Sequence, residues 1–324
     1  MNALRIYVDL AMPSDALELL RAGTSGHELV FPAKPAVSVL AQAERDPQLA
    51  SVDVAFGQPD PQALSESLRL RWAHISSSGI TRYDTPPFRV AMASRGIMVS
   101  NSAAVYAEAC ATHALSFMLA QARKLPLGLR TRTAGGTEAW NALRAASGTL
   151  RGENVMIVGY GAIGRRLVEL LQPFDVAVQA YRRQVRGDEG VPVVAGEGLF
   201  AALAQADHVV NILPESAETR RFFERSRFAA MKPGAVFYNI GRGATVDQEA
   251  LLETLHSSHL GAAWLDVTDP EPLPDEHPLW AEPNCFITPH VAGGHTGEVK
   301  TLVRHFVRNL ERFVRGEPLM DRVM

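Results

Sequence analysis

The feature that most constrains this chain is Val155-Met156-Ile157-Val158-Gly159-Tyr160-Gly161-Ala162-Ile163-Gly164, followed by Arg165-Arg166-Leu167-Val168-Glu169-Leu170-Leu171. Val155 to Val158 is a short apolar run, read as a buried parallel strand. Gly159-x-Gly161-x-x-Gly164 interrupts it, and Leu167, Val168, Leu170 and Leu171 then recur at helical spacing. Strand, glycine turn and helix start, in that order, are what a dinucleotide site needs. Gly159 permits the tight turn, Gly161 lets a pyrophosphate approach the backbone, and Gly164 lets the helix pack close to the strand. Tyr160, Ala162 and Ile163 belong to the same expected cradle. The helix start offers unpaired N–H groups and partial positive charge to the phosphates. A bare GxGxxG also marks ordinary turns, so the reading depends on the rest of the chain.

The flanking pattern is α/β. Residues 4–8, 52–56, 73–76 and 97–101 read as strands, 15–22 as a helix that Gly23 can stop, and 33–45 as partly helical. This is expected to form a small, flavodoxin-like parallel domain. Residues 103–124 read as a long, largely buried helix. Residues 126–149 are glycine-rich and polar, contain Trp140, and are expected to form an extended connection or an intersubunit arm. Strands at 155–158, 176–180, 207–213, 236–240, 261–267 and 286–288 make a six-strand βα array, the doubly wound Rossmann architecture. Residues 193–194 and 199–203 are weaker elements, and a helix over 296–315 closes the chain. Two domains are expected: residues 1–101 with 292–324 returning to them, and 102–291, with substrate in the cleft and hinge closure expelling water.

Composition excludes several classes. The 324 residues are 47% hydrophobic and 21% charged, with a net charge of −3, which argues against nucleic-acid binding. The two cysteines, Cys110 and Cys285, sit in apolar contexts and suit a reducing compartment. No segment approaches the roughly 20 apolar residues of a membrane span, and the N-terminus reads as a strand rather than a signal peptide. A cytoplasmic protein without a membrane partner is expected. His256 and His259 could form a metal pair, but no third ligand accompanies them, so solvated or capping roles and no metal are expected.

In open α/β sheets, ligands bind outside the carboxyl ends of the strands. The residues there are the glycine turn, Arg182, Leu213-Pro214, Arg242, residues 266–271, and His290. Each has an ordinary reading: Arg242 as a surface cation, Glu271 as a solvated acid, His290 as a structural imidazole. A cation, a carboxylate and a histidine at strand ends beside a glycine fingerprint point instead to a catalytic set.

Several further stretches carry a resemblance to a known family. They are Asn211-Ile212-Leu213-Pro214, Met231-Lys232-Pro233-Gly234-Ala235, Asn239-Ile240-Gly241-Arg242-Gly243, Leu265-Asp266-Val267 with Glu271-Pro272-Leu273-Pro274, His277-Pro278-Leu279, and Ile287-Thr288-Pro289-His290-Val291-Ala292. With the glycine motif, they resemble the D-isomer-specific 2-hydroxyacid dehydrogenases, over nearly the whole length. The resemblance implies Arg242, Glu271 and His290 as the catalytic triad. It also implies Leu213, Pro214, Ile240, Gly241, Asp266 and His290 beside the cofactor, and Ser78, Gly79 and Ile80 with Arg242 at the substrate. The chemistry agrees. Reduction of a 2-oxo acid needs a hydride on C2, a proton on the oxygen and a hold on the carboxylate. The nicotinamide supplies the hydride. An imidazole can supply the proton, with an adjacent carboxylate steadying its cationic form. A guanidinium grips carboxylate and carbonyl oxygens through a planar fork. Two positions depart from the family pattern. An acid is usual near Thr81, and a glutamate is common at Thr112. The resemblance further implies a homodimer, with Trp140 reaching a partner's site or simply packing. It also implies a small substrate such as glyoxylate or hydroxypyruvate, reduced with D stereochemistry.

An NAD site carries Asp or Glu at the end of the second strand to bond the ribose 2′-hydroxyl. Here Val176-Ala177-Val178-Gln179-Ala180-Tyr181 runs into Arg182-Arg183-Gln184, with no acid before Asp188. A guanidinium pairs with a 2′-phosphate that a carboxylate would repel. NADP(H) preference through Arg182 and Arg183 is expected, with NAD(H) use open. Two other functions stay open: a dinucleotide-sensing binding protein or corepressor on the same fold, and a formate- or phosphite-type dehydrogenase.

Overall fold

The computed structural model describes residues 3–38, 44–132 and 137–324, and it divides into two compact units. Residues 1–106 and 294–324 make the first, and residues 107–293 make the second. Both are parallel α/β sheets.

The first unit contains β1 (Arg5–Asp9), α1 (Ser14–Gly23), β2 (Glu28–Val30), β3 (Val54–Gly57), α2 (Pro61–Glu66), β4 (Trp72–Ile75), α3 (Pro86–Ser94) and β5 (Met98–Ser100). Its strand order, β2-β1-β3-β4-β5, is the flavodoxin order. β3 and β4 are buried along their whole length, as strands covered on both faces must be. The closing helix Glu298–Arg315 packs on this sheet, with Phe306 stacked on Phe56 (4.3 Å) and Trp72 (5.3 Å). The three-residue β2 is absent from the sequence expectation, being too short to show a period. The described part of 33–45 contains no helix, and residues 39–43 lie outside the described residues. Gly23 does not stop α1 either. The helix runs through it to a Thr24 cap, and a Cβ at Gly23 would sit 2.6 Å from Val307. Close packing of the closing helix is what requires glycine there.

Helix α4 (Ala103–Ala122) starts in the first unit and continues into the second. Contrary to the sequence expectation, it is long and apolar enough to cross a membrane by length and composition. Within the second unit its Ala111, Ala114, Phe117 and Met118 are buried, and Phe117 contacts Trp264 at 5.0 Å between ring centres. The segment after it is not the extended connection expected. It forms two short helices, α5 (Leu125–Arg130) and α6 (Glu138–Ala146), with residues 133–136 of the expected arm outside the described residues.

The second unit continues with β6 (Asn154–Val158), α7 (Ala162–Leu171), β7 (Ala177–Tyr181), β8 (Val193–Val194), α8 (Gly198–Leu203), β9 (His208–Asn211), α9 (Arg225–Ala229), β10 (Val236–Asn239), α10 (Gln248–His256), β11 (Ala262–Leu265) and β12 (Cys285–Ile287); the closing helix is α11. The order β12-β11-β10-β9-β6-β7-β8 is the Rossmann order extended by one strand. The sheet has seven strands rather than six, because Val193–Val194 pairs with Ala180 and Tyr181 at the edge. Its core is aromatic where α9 meets the sheet: Phe237 lies 4.8 Å from Phe223 and 5.2 Å from Phe228. The strand directions place every carboxyl end of this sheet along one rim.

Candidate active site

That rim is stitched together by backbone contacts. Gly159 donates its N–H to Tyr181 O at the end of β7 (3.0 Å). Its φ of +99°, and the 2.9 Å that would separate a Cβ from the Ile212 carbonyl, both demand glycine. On the far side of Leu213, a Cβ at Gly241 would lie 2.7 Å from the Leu213 carbonyl oxygen, and one at Gly243 would fall 1.9 Å from Thr268 O. The turns after β7, β6, β9, β10 and β11 therefore touch in sequence. The turn after β12 joins them through His290 N–H, which donates to Asp266 O at 2.8 Å.

The glycine cradle fits a dinucleotide. Gly161 caps α7, and nothing lies within 4 Å of where its Cβ would be, so the space above it is open. Gly164 is the opposite case: a Cβ would meet Gly159 O and the Tyr160 ring at 3.1 Å, as the close helix–strand approach requires. The N–H groups of Ala162, Ile163 and Gly164 open α7 and have no partner within the helix. Tyr160 is buried and donates its hydroxyl to Glu189 O (2.8 Å). Leu213, Ile240 and Gly241 are buried beside the cradle, and Pro214 is exposed at the same edge.

Arg242 follows β10 in an extended conformation, half-buried, with Nη1 on its own preceding carbonyl, Gly241 O (2.6 Å). A buried amide network holds its backbone. Asn211 Nδ2 donates to Asn239 Oδ1 (3.0 Å) and Thr245 Oγ1 (2.7 Å), and Thr245 Oγ1 in turn donates to Arg242 O (2.6 Å). Asn211 and Asn239 each close an apolar strand, and each accepts a turn N–H, from Leu213 and Gly241. Sequence reading quoted both asparagines without a role. The available signal was a polar amide ending an otherwise apolar run, His208-Val209-Val210-Asn211 and Val236-Phe237-Tyr238-Asn239.

His290 and Glu271 are brought together. His290 Nδ1 lies 2.6 Å from Glu271 Oε1, with side-chain exposures of 25% and 35%. Nε2 of His290 has no hydrogen bond among the described residues. Glu271 lies between two cis prolyl bonds, Asp269–Pro270 and Glu271–Pro272. His290 has φ +52°, an uncommon conformation that is held in place from outside. The holder is Asp266, 1% exposed. Its Oδ1 accepts from Thr288 Oγ1 (2.6 Å) and Val291 N–H (2.9 Å), and its Oδ2 accepts from Ala292 N–H (2.9 Å). Asp266 was expected beside the cofactor. In this structure the three bonds its carboxylate makes secure the turn that carries His290. His113 adjoins it, 3.3 Å from Thr288 Oγ1 and 3.6 Å from Asp266 Oδ1. Burial lowers the His113 imidazole below its ordinary range, against a smaller opposing pull from Asp266.

The end of β7 differs most from expectation. Arg182 is not a free cation: Nη1 lies 2.9 Å from Glu189 Oε1, with side-chain exposures of 15% and 3%. Counting along the chain hides this, because Glu189 folds back. Arg183 is exposed and makes no hydrogen bond or ion pair among the described residues.

In the first unit, Ser78, Gly79 and Ile80 follow β4. Ser78 O accepts from Asn101 Nδ2 (2.6 Å) and Gly79 O from Ser77 Oγ (2.7 Å). The three N–H groups have no acceptor among the described residues, a geometry suited to a carboxylate. Thr81 and Thr112 are exposed. Trp140 is half-exposed on α6 under the Arg144 guanidinium, 4.6 Å away. His256 faces Glu282 at 3.9 Å and His259 bonds Met231 O at 2.9 Å, so the two rings serve different partners. Among the described residues no three His, Cys, Asp or Glu side chains form a metal-holding group.

Comparison with known proteins agrees with this geometry. Residues 115–292 match the family described as D-isomer specific 2-hydroxyacid dehydrogenase, NAD binding domain. The mouse glyoxylate reductase/hydroxypyruvate reductase is 36% identical over 227 residues, covering 69% of each chain. A Thermus thermophilus protein, TT0316, has a crystal structure matching 99% of this chain and 100% of its own, at 30% identity and a TM-score of 0.75. The Sinorhizobium meliloti NADPH-dependent glyoxylate/hydroxypyruvate reductase, solved with NADP and sulfate, matches 99% of this chain and 98% of its own, at 26% identity and a TM-score of 0.77.

Proposed function

Because this chain belongs to the D-isomer specific 2-hydroxyacid dehydrogenase family, we propose that it reduces a small 2-oxo acid, of the glyoxylate or hydroxypyruvate kind, with NADPH. The observation that carries this reading is the His290–Glu271 pair, bonded at 2.6 Å on the same rim as the glycine cradle and Arg242. A bound nicotinamide supplies the hydride. His290 donates the proton to the substrate oxygen from Nε2, while Glu271 on Nδ1 fixes the ring orientation. In the oxidation direction the same nitrogen takes the proton back. Arg242 turns its fork to the substrate carboxylate and polarises the carbonyl as negative charge develops. The Ser78-Gly79-Ile80 turn offers N–H donors for a carboxylate. By its family the product would have D configuration wherever a stereocentre forms.

The preference for NADPH rests on the exposed Arg183 just after β7, where an NAD site carries an acid; Arg182 beside it is engaged by Glu189. The S. meliloti relative, which binds NADP, is consistent with it. Exposed Leu125, Leu127, Leu129 and Trp140 on α5 and α6 support a homodimer, which sedimentation velocity tests. Steady-state rates with glyoxylate, hydroxypyruvate, pyruvate and phenylpyruvate, each with NADPH and NADH, test substrate and cofactor together. Turnover is expected with the two smaller hydrophilic acids and NADPH. No turnover with any 2-oxo acid, together with tight NADPH binding, would make the protein a dinucleotide sensor instead.

A further inference from the structure

The second sheet has a cavity at the end opposite the catalytic rim. Its volume, about 410 Å³, is ordinary for a small-molecule pocket. Glu153 precedes β6, His208 opens β9, Val236 opens β10 and Gly261 precedes β11, and all four line it. Gln121, in the last turn of α4, and Lys124, just beyond it, close one side. Strands of four residues, at about 3.3 Å each, separate this wall from Asn211 and Asn239 at the rim.

Some polar groups of the wall satisfy one another. Asp207 Oδ1 takes the Lys232 ammonium, and Oδ2 accepts Asn154 N–H (2.9 Å). His208 is buried with both ring nitrogens engaged, Nδ1 at 2.9 Å from the Tyr238 hydroxyl and Nε2 at 2.6 Å from Glu153 Oε2. Three groups are not used in this way. Glu153 Oε1 makes no hydrogen bond among the described residues. Gln121 is 8% exposed, and its Oε1 accepts from Trp264 Nε1 (3.1 Å), which leaves Nε2 as a donor with no acceptor among the described residues. Lys124 is half-buried at φ +50°, an uncommon conformation for a lysine, and its side chain makes no hydrogen bond or ion pair among the described residues.

A buried amide donor without an acceptor and a half-buried ammonium without a counter-charge are both costly unless a polar group meets them. The charges on the wall decide what that group belongs to. A simple anion would meet Glu153 and Asp207 as well as the donors. A simple cation would meet Lys124 and Lys232. A molecule that carries both charges can satisfy the donors and the carboxylate oxygen together. We propose that this cavity is a second ligand site, for a small zwitterion with a carboxylate and an ammonium group, an amino acid by chemical class. The carboxylate sits against Lys124 Nζ and Gln121 Nε2, and the ammonium against Glu153 Oε1. The site is separate from the 2-oxo acid and from NADPH, and it stands whichever substrate the rim takes.

The test is isothermal titration of the protein, with and without saturating NADPH. The probes are glycine, β-alanine and γ-aminobutyrate, which carry the two charges at increasing separation, with butyrate and butylammonium as single-charge controls. One of the amino acids is expected to bind about tenfold or more tighter than either control, with the same affinity whether or not NADPH is bound. Lys124→Gln and Glu153→Gln are each expected to weaken that binding about tenfold, Lys124→Gln with an unchanged melting temperature. Arg242→Gln, at the other end of the strands, should leave it unchanged. Equal binding of γ-aminobutyrate and butyrate would make the cavity an anion site. Binding by none of the three amino acids would leave it a place for water alone. Loss of binding in Arg242→Gln would return the ligand to the catalytic rim. Each of these outcomes overturns the proposal, as does unaltered binding in both Lys124→Gln and Glu153→Gln.

Discussion

One histidine in each unit is used in the opposite way to the other. In the first unit, His74 is completely buried, with Nδ1 2.7 Å from Ser100 Oγ and Nε2 3.3 Å from Ser102 Oγ. Trp72 Nε1 also donates to Ser100 Oγ, and Gln58 to Ser76 Oγ. In the second unit, His290 is a quarter exposed and has one ring nitrogen on Glu271 and the other without a partner among the described residues. Both histidines lie in or just after parallel strands. What separates them is how many ring nitrogens the fold consumes. With both taken, the imidazole is part of the core. With one taken by a carboxylate, the other is left without a partner among the described residues.

The largest test of that contrast is His290→Ala. It is expected to lower kcat about 1,000-fold while NADPH binding stays within about twofold, read by single-turnover kinetics and fluorescence titration. A loss below tenfold would remove the distinction between the two rings. Asp266→Asn comes next. An amide cannot accept all three bonds that hold the 288–292 turn, so urea unfolding should report a loss of about 1–3 kcal/mol, with kcat falling more than KM changes. Restored kcat in a stabilised background would reduce Asp266 to a structural residue. Gly161→Ala adds a methyl where no protein atom lies within 4 Å. It should leave the melting temperature unchanged and weaken dinucleotide binding about tenfold, by filling the space a pyrophosphate takes.

The smallest effect belongs to His74. Burial, then the neighbouring His305, pushes its imidazole well below the ordinary value of 6.5. The folded protein thus refuses a proton that the unfolded chain accepts. The stabilisation is complete above about pH 6.5 and is lost as pH falls below it, by up to about 1.4 kcal/mol per pH unit for one proton. Urea unfolding between pH 7 and pH 5 checks the sign, and His74→Gln should flatten that part of the profile. A wild-type slope of the opposite sign would place the His74 ring in its charged form.

Much of the fold was legible because parallel strands buried on both faces leave continuous apolar runs, and because the glycine fingerprint interrupts one of them. Strands too short for a period were not. Val193–Val194 stood only as a weak element, and Glu28–Val30 left no trace. Their pairing partners, Ala180–Tyr181 and Arg5–Tyr7, lie elsewhere in the chain. The extended arm expected at 126–149 proved helical in its described parts, since glycine content alone does not report helix formation.

At the site, strand-end reasoning pointed to Arg242, Glu271 and His290 because sheet topology puts successive carboxyl ends on one rim. It could not foresee who holds them. The Asn211–Asn239–Thr245 network behind Arg242 and the Asp266 bonds behind His290 join residues 22 to 34 positions apart. Such bonds depend on strand order and turn shape, which no local pattern encodes.

The glycine cradle with which the chain begins its second sheet was determined by local sequence alone. Gly159 needs its positive φ and Gly164 its close approach whatever surrounds them, since both follow from backbone geometry. The charge at the end of β7 was not determined that way. Arg182 reads as a free cation in one dimension, and only the folded loop brings the buried Glu189 carboxylate to 2.9 Å from it. An ion pair is a matter of distance in space, and sequence separation does not measure it.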